Sequence, residues 1–272
     1  MKQYRTLERI LYPNQVMEGA DVPVRRYLGH DTVEMLDPFL MLDEIQLGPE
    51  VSKLAGFPWH PHAGQATFSY LVRGTMGHED TIGNKGFVGA GGAQYMEAAR
   101  GIEHQELPGL SPQGFWGFQL WINLDHEARK HAPTYQNLPQ EVIPVSEKDG
   151  AFVRVVSGPG GAVHSPCREM IFLDVQLEAS KVFEIDVPKT HKTWFVVLEG
   201  QIELPGSTVQ AVAGPRQLGV LSPGNAVRLQ ALGETARFLL VSGEPVKEPV
   251  FWYGPFVARN SEEMRKLVQN FR

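Results

Sequence analysis

His60-Pro61-His62 and His104-Gln105-Glu106 are the two short stretches whose reading decides this sequence. Each places two metal-type donors at i and i+2. On a β-strand, alternate side chains share a face, about 7 Å apart along the strand. Pro61 and Gln105 then point the other way. Two such strands meeting inside a small barrel, on facing pleats, would bring three imidazoles and one carboxylate to one point. That donor set suits a first-row divalent ion. With one such ion the set carries a net charge of about +1, and a six-coordinate ion would keep about two exchangeable positions.

The rest of the chain reads as strand after strand. Among 272 residues, 28 glycines and 20 prolines supply frequent tight turns, as all-β folds require. Thr67-Phe68-Ser69-Tyr70-Leu71-Val72 is β-rich and stops at Gly74. Gly117 to Leu124 alternates, with Phe118, Leu120, Ile122 and Leu124 on one face and Gln119, Trp121 and Asn123 on the other. Helical periodicity is confined mostly to the C-terminus. There Met264, Leu267, Val268 and Phe271 recur at i, i+3, i+4, i+7, behind an N-cap at Asn260 or Ser261.

A weak internal repeat organises these strands. Thr67 to Gly74 aligns without gaps on Thr193 to Gly200, and Val88 to Gly91 matches Leu221 to Gly224 in the same order. The expectation is an all-β chain of two duplicated barrels, residues 1–140 and 141–272, with a short C-terminal helix. Carried onto the second copy, the ligand positions fall on Asp186, Pro188, Arg237 and Leu239. No donor pair survives, so a single metal site is expected, in the first domain.

Composition excludes several functions. The net charge is −6 and no Lys/Arg block exceeds Arg25-Arg26, so direct nucleic-acid binding lacks its electrostatic footprint. No stretch approaches the ~18 apolar residues of a membrane span. Met1 to Arg26 has no apolar signal core, and Cys167 is the one cysteine, so a cytoplasmic location is expected, with a nuclear one compatible. Cys167 follows Pro166 in a loop-like stretch without a thiol-activating neighbour. His78, in Gly77-His78-Glu79-Asp80, reads as a loop residue at the site entrance or a solvated one in an acidic turn, and His30, His126, His131, His164 and His191 lack paired donors. There is no G-x-S-x-G elbow, Walker loop or H-E-x-x-H. Phe57, Trp59, Phe68, Tyr70, Met76 and Phe115 are candidates for an aromatic and apolar wall beside the metal.

These stretches carry a family resemblance. Phe57-Pro58-Trp59-His60-Pro61-His62, Gly77-His78-Glu79-Asp80, Arg100 to Pro108 and Gln119 to Leu124 resemble pirin, as do Asp37-Pro38-Phe39 and Gly254-Pro255-Phe256-Val257. The resemblance runs over nearly the whole chain. It implies two tandem cupin barrels (a bicupin), with iron in the N-terminal one. It implies His60, His62, His104 and Glu106 as metal ligands, with Fe(II) as the ion and Ni, Cu, Mn or Zn accepted by the same donors. One departure stands out: Ala66 occupies the place of a glutamate that cupins and many pirins carry. The activity implied is that of a quercetin 2,3-dioxygenase acting on a flavonol-like aromatic substrate, with Glu106 as a catalytic base. The alternative is an iron-dependent regulatory module that binds a protein partner, such as a transcription complex or a metabolic enzyme, without turnover.

Overall fold

The computed structural model describes residues 1–49, 56–109, 112–164, 169–206 and 211–271. Cys167 lies outside them. The chain forms two compact units: Asn14–Val142 with Val246–Arg272, and Ile143–Pro245 with Met1–Pro13. The expected cut after residue 140 thus meets a different arrangement at the chain ends. The first thirteen residues belong with the second barrel, and the last twenty-seven with the first. The reason is strand pairing. Strand β1 (Leu7–Leu11) completes the second barrel's sheet, and the C-terminal helix packs on the first barrel.

The first unit opens with β2 (Asn14–Glu18), β3 (Val22–Leu28), the short helix α1 (Val33–Leu36) and β4 (Phe39–Leu47). Then come β5 (Phe57–His62), β6 (Gln65–Arg73), β7 (Thr75–Asp80), β8 (Lys85–Gly89), β9 (Ala93–Glu97), β10 (Ile102–Gly109), β11 (Phe115–Asn123) and β12 (Thr134–Leu138). They make a seven-stranded sheet in the order β12-β9-β6-β11-β4-β3-β2 and a four-stranded sheet in the order β5-β10-β7-β8. All pairings are antiparallel. One half of the interior is apolar, with Val24, Ile45, Leu71, Met76, Val88 and Phe115 packed together. Burial of that cluster stabilises the barrel independently of any polar centre, at about 25 cal/mol per Å² of apolar area.

The second unit contains β13 (Val145–Lys148), β14 (Ala151–Ser157), β15 (Met170–Leu177), β16 (Val182–Asp186), β17 (Lys192–Glu199), β18 (Ile202–Glu203), β19 (Val212–Ala213), β20 (Leu218–Leu221), β21 (Ala226–Ala231) and β22 (Ala236–Gly243). Its sheets run β1-β20-β17-β22-β15-β14-β13 and β16-β21-β18-β19. Strand by strand this repeats the first unit, with β1 in the place of β12. The duplication read from Thr67 and Thr193 is therefore the architecture itself, since β6 and β17 hold the same place.

The second match in the repeat is out of register. Val88 belongs to β8, whereas Leu221 ends β20, the counterpart of β9. The corrected counterparts of the first unit's site come from pairing. His60 faces His104 across β5 and β10, and with Met76 matched to Ile202 on β7 and β18 the equivalent pair across β16 and β21 is Ile185 facing Val227. Val227, Leu229 and Ala231 all join the second unit's apolar core. The equivalent positions are hydrocarbon. Among the described residues, both clusters of converging donors lie in the first unit.

The C-terminal segment, β23 (Phe251–Tyr253), β24 (Phe256–Ala258) and α2 (Ser261–Gln269), buttresses the first unit. Asn260 is the N-cap, its side chain accepting from the amides of Glu262 and Glu263 at 3.1 and 3.0 Å. Met264, Leu267, Val268 and Phe271 pack on Ala63, Phe256 and Ala258. Ala63 follows His62 directly, so the helix braces the turn behind the site. Gly64 makes that turn at φ +89°, and a Cβ there would lie 1.8 Å from the Val257 carbonyl oxygen. Among the described residues, no helix is long and apolar enough to cross a membrane.

Candidate metal centre

Strands β5 and β10 do not face each other across the barrel. They are hydrogen-bonded neighbours in one sheet, with His60 opposite His104 and His62 opposite Ile102. This brings the donors closer than facing pleats would. The Nε2 atoms of His62 and His60 are 2.9 Å apart, and those of His104 and His60 are 3.1 Å apart. A register shift between His104 and Glu106 displaces the carboxylate along the strand. As a result the three-histidine cluster does not take in Glu106, which is grouped with His78 and His104.

Glu106 is 2% exposed. Ser69 Oγ donates to its Oε1 at 2.9 Å, and the Gln119 amide donates to its Oε2. Ser69 and Gln119 are register partners on β6 and β11, so one rung of the larger sheet holds the carboxylate of the smaller. Trp121 Nε1 donates in turn to Gln119 Oε1 at 3.2 Å. The Trp121 ring stands edge-on to His62, 5.0 Å between centroids.

The ring nitrogens that do not converge reveal the tautomers. His60 Nδ1 lies 2.8 Å from the Pro58 carbonyl oxygen. A carbonyl can only accept, so Nδ1 carries the proton and the Nε2 lone pair is free. His104 Nδ1 faces His78 Nδ1 at 3.3 Å. His62 Nδ1 faces the Gln65 amide nitrogen at 2.9 Å, and that nitrogen also donates to Pro255 O. This arrangement puts the His62 proton on Nε2. An ion at His62 Nε2 needs the amide turned over, so that Gln65 Oε1 accepts from Nδ1. Gln65 Oε1 is buried and has no hydrogen-bond partner. Burial, reinforced by the neighbouring histidines, holds His62 and His104 well below the usual histidine pKa, hence neutral. Three converging imidazoles beside a buried carboxylate fit a divalent transition ion.

The centre borders a cavity of about 510 Å³. Of the expected wall residues, Phe57 and Trp59 line it, whereas Phe68, Tyr70, Met76 and Phe115 are buried in the core. Sequence reasoning missed Trp121, Trp252 and His30, all on the wall. Trp252 stacks on His30 at 3.9 Å and lies 5.7 Å from Trp121. Trp121 could have been found, because it shares a strand face with Gln119. Trp252 comes from the distant C-terminal hairpin and left no local signal. The far wall is ionic: Arg26 pairs with Asp43 through two hydrogen bonds and with Glu18 at 2.8 Å.

Two expectations need correction. His78 is not a solvated turn residue: it sits on β7, 5% exposed, in register with Glu106. Ala66 is fully buried beside Ile122 and Glu97, on the face of β6 that turns away from Ser69 and Gln119. Its replacement of a glutamate therefore leaves the metal-facing surface unchanged.

Comparison with known proteins agrees with this geometry. The family described as Pirin matches residues 21–122, and the Pirin C-terminal cupin domain matches residues 172–272. A pirin-like protein of Caulobacter vibrioides is 37% identical over 98% of both chains. Human pirin is 35% identical over 94% of this chain and 88% of its own. The crystal structure of a quercetin 2,3-dioxygenase from Acinetobacter baumannii superposes with a TM-score of 0.86 at 27% identity, covering 99% of this chain and 97% of that one.

Proposed function

The chain belongs to the pirin family, and from that premise we propose that it is a metal-dependent oxygenase of the quercetin 2,3-dioxygenase type. The residues that would hold the ion are His60, His62, His104 and Glu106, and iron(II) is the ion we assign. The observation that carries the reading is the convergence of three imidazole Nε2 atoms at the edge of a cavity walled by Trp59, Trp121 and Trp252. The similarity to the Acinetobacter baumannii dioxygenase supports it.

A bound redox-active ion supplies Lewis acidity toward an enolic oxygen and reactivity toward dioxygen. The remaining work falls to the chain. The indoles offer flat apolar faces, which suit a planar aromatic substrate and exclude water from it. His60 and His104 keep their Nε2 lone pairs on the centre, and His62 does so once the Gln65 amide turns over. Glu106 would complete the ligand set, with one of its two hydrogen bonds released. Gln119 and Ser69 fix the orientation of its carboxylate, and Glu106 is also the base we assign. The setting of this reading is the cytoplasm, and the partner is a small aromatic molecule.

The test is aerobic incubation of iron-loaded protein with quercetin. Oxygen uptake with carbon monoxide release and ring opening supports the oxygenase. No uptake across a flavonol panel, joined to iron-dependent capture of a protein partner, would replace it with the regulatory reading.

A further inference from the structure

We propose that His78 is the positioning residue for His104: it fixes the tautomer that leaves His104 Nε2 free for the ion, and it is itself fixed by Asp80 and Tyr135. The inference rests on the metal reading above and adds residues outside the ligand set.

The polarity of the chain is set at its far end. Asp80 accepts from the backbone amides of Ile82 and Asn84 at 3.1 and 2.9 Å and from the Asn84 side-chain amide at 2.8 Å. These donors fix a carboxylate, which only accepts. His78 Nε2 lies 3.2 Å from Asp80 Oδ2, so His78 carries its proton on Nε2. With that proton on Nε2, the His78 ring presents Nδ1 as its acceptor. That atom is 3.3 Å from His104 Nδ1, which must carry the proton. His104 Nε2 keeps its lone pair, 3.1 Å from His60 Nε2. Each assignment follows from the one before, starting from an acid that cannot donate.

The ring plane of His78 is set by packing. Tyr135 on β12 stacks on it at 4.0 Å with 9° between the planes. The Tyr135 hydroxyl is held by Asn137 Oδ1 at 3.0 Å. Room for this stack exists because Gly86 faces His78 across β7 and β8. A Cβ on Gly86 would lie 2.1 Å from the Tyr135 hydroxyl oxygen and 2.4 Å from Asn137 Oδ1. Three strands thus converge on one imidazole that is not in the assigned ligand set. Residues that orient a metal-bound histidine in this way are typically worth about 10–100-fold in metal affinity.

The probe is Co²⁺, titrated against a chelator, with proton NMR of the cobalt-loaded protein. The wild type is expected to show a hyperfine-shifted, slowly exchanging N–H resonance from His104 Nδ1. In His78→Phe, which keeps the stack on Tyr135, cobalt affinity falls about 10–100-fold. That resonance broadens into fast exchange. His78→Gln restores an acceptor and recovers part of both effects. Gly86→Ala touches no ligand and lowers affinity in the same direction by displacing Tyr135, so the test survives if His78→Phe does not fold. Unchanged affinity and an unchanged N–H resonance in folded His78→Phe or Gly86→Ala would overturn the proposal. So would a His78 resonance showing direct coordination. A wild-type protein that binds no cobalt would instead refute the metal reading on which the proposal stands.

Discussion

His60 and His104 stand opposite each other on adjacent antiparallel strands, with their Nε2 atoms 3.1 Å apart. Their counterparts in the second unit, Ile185 and Val227, occupy the same kind of pair, with Val227 buried in its core and Ile185 packed against it. One duplicated scaffold therefore carries a polar centre in one copy and a hydrocarbon plug in the other. The first unit can carry the polar centre because a separate apolar cluster around Ile45, Leu71 and Phe115 packs its other half.

His62→Ala is expected to abolish stoichiometric metal binding while leaving the fold intact. The apolar cluster is untouched, and a bound ion adds only a linked stability term that depends on its concentration. Elemental analysis should show one ion per wild-type chain and none for the variant, with matching far-ultraviolet circular dichroism. Near-native iron binding by His62→Ala would remove it from the ligand set.

Gln65→Leu is expected to weaken metal binding by roughly tenfold, as loss of a group that orients a ligand does. The metal-bound His62 would then carry an Nδ1 proton with no acceptor. Isothermal titration with a divalent ion reads the effect. Equal affinity in the variant would show that Gln65 Oε1 does not turn toward His62.

Much of the centre was legible because β-strands display alternate residues together. His60 with His62 and His104 with Glu106 are separated by two, and so they could be paired without knowing the fold. The neighbouring His78 obeys the same period, since Met76, His78 and Asp80 are the buried positions of β7. Its glycine and acidic neighbours read as a turn and masked that alternation. The repeat was visible in β6 and β17, but short glycine-containing turns aligned equally well in the wrong register. Trp252 and the exchanged chain ends were not legible at all. They depend on pairings such as Leu7 with Leu221, across most of the sequence, that no local pattern encodes.

Gly64→Ala should destabilise the first unit by at least about 2 kcal/mol, from the positive φ and the contact with Val257 together. The melting temperature of the metal-free protein reads this directly. A variant that melts with the wild type would mean that the turn behind His62 can shift.

Helix α2 should loosen in acid. The Arg259 guanidinium bonds Glu263 and holds its pKa down at about 2, below the usual carboxylate value of 4.5. A depressed folded pKa contributes stability above the unfolded value, and that contribution disappears as pH falls through the folded one. The loss should therefore run from about pH 4.5 down to about pH 2. Hydrogen exchange across residues 261–269 should follow it, and Glu263→Gln should flatten the profile over that window. An unchanged profile in the variant would place the acid response elsewhere.

The most direct measurement compares oxygen uptake with quercetin by iron-loaded, zinc-loaded and metal-free protein at matched concentration. Zinc fills the same donors without redox chemistry, so the structure is kept and the reaction is not. The account predicts uptake and carbon monoxide release with iron alone, and their loss in iron-loaded Glu106→Gln. Equal turnover by all three forms, or none by iron-loaded protein on any flavonol, would contradict it.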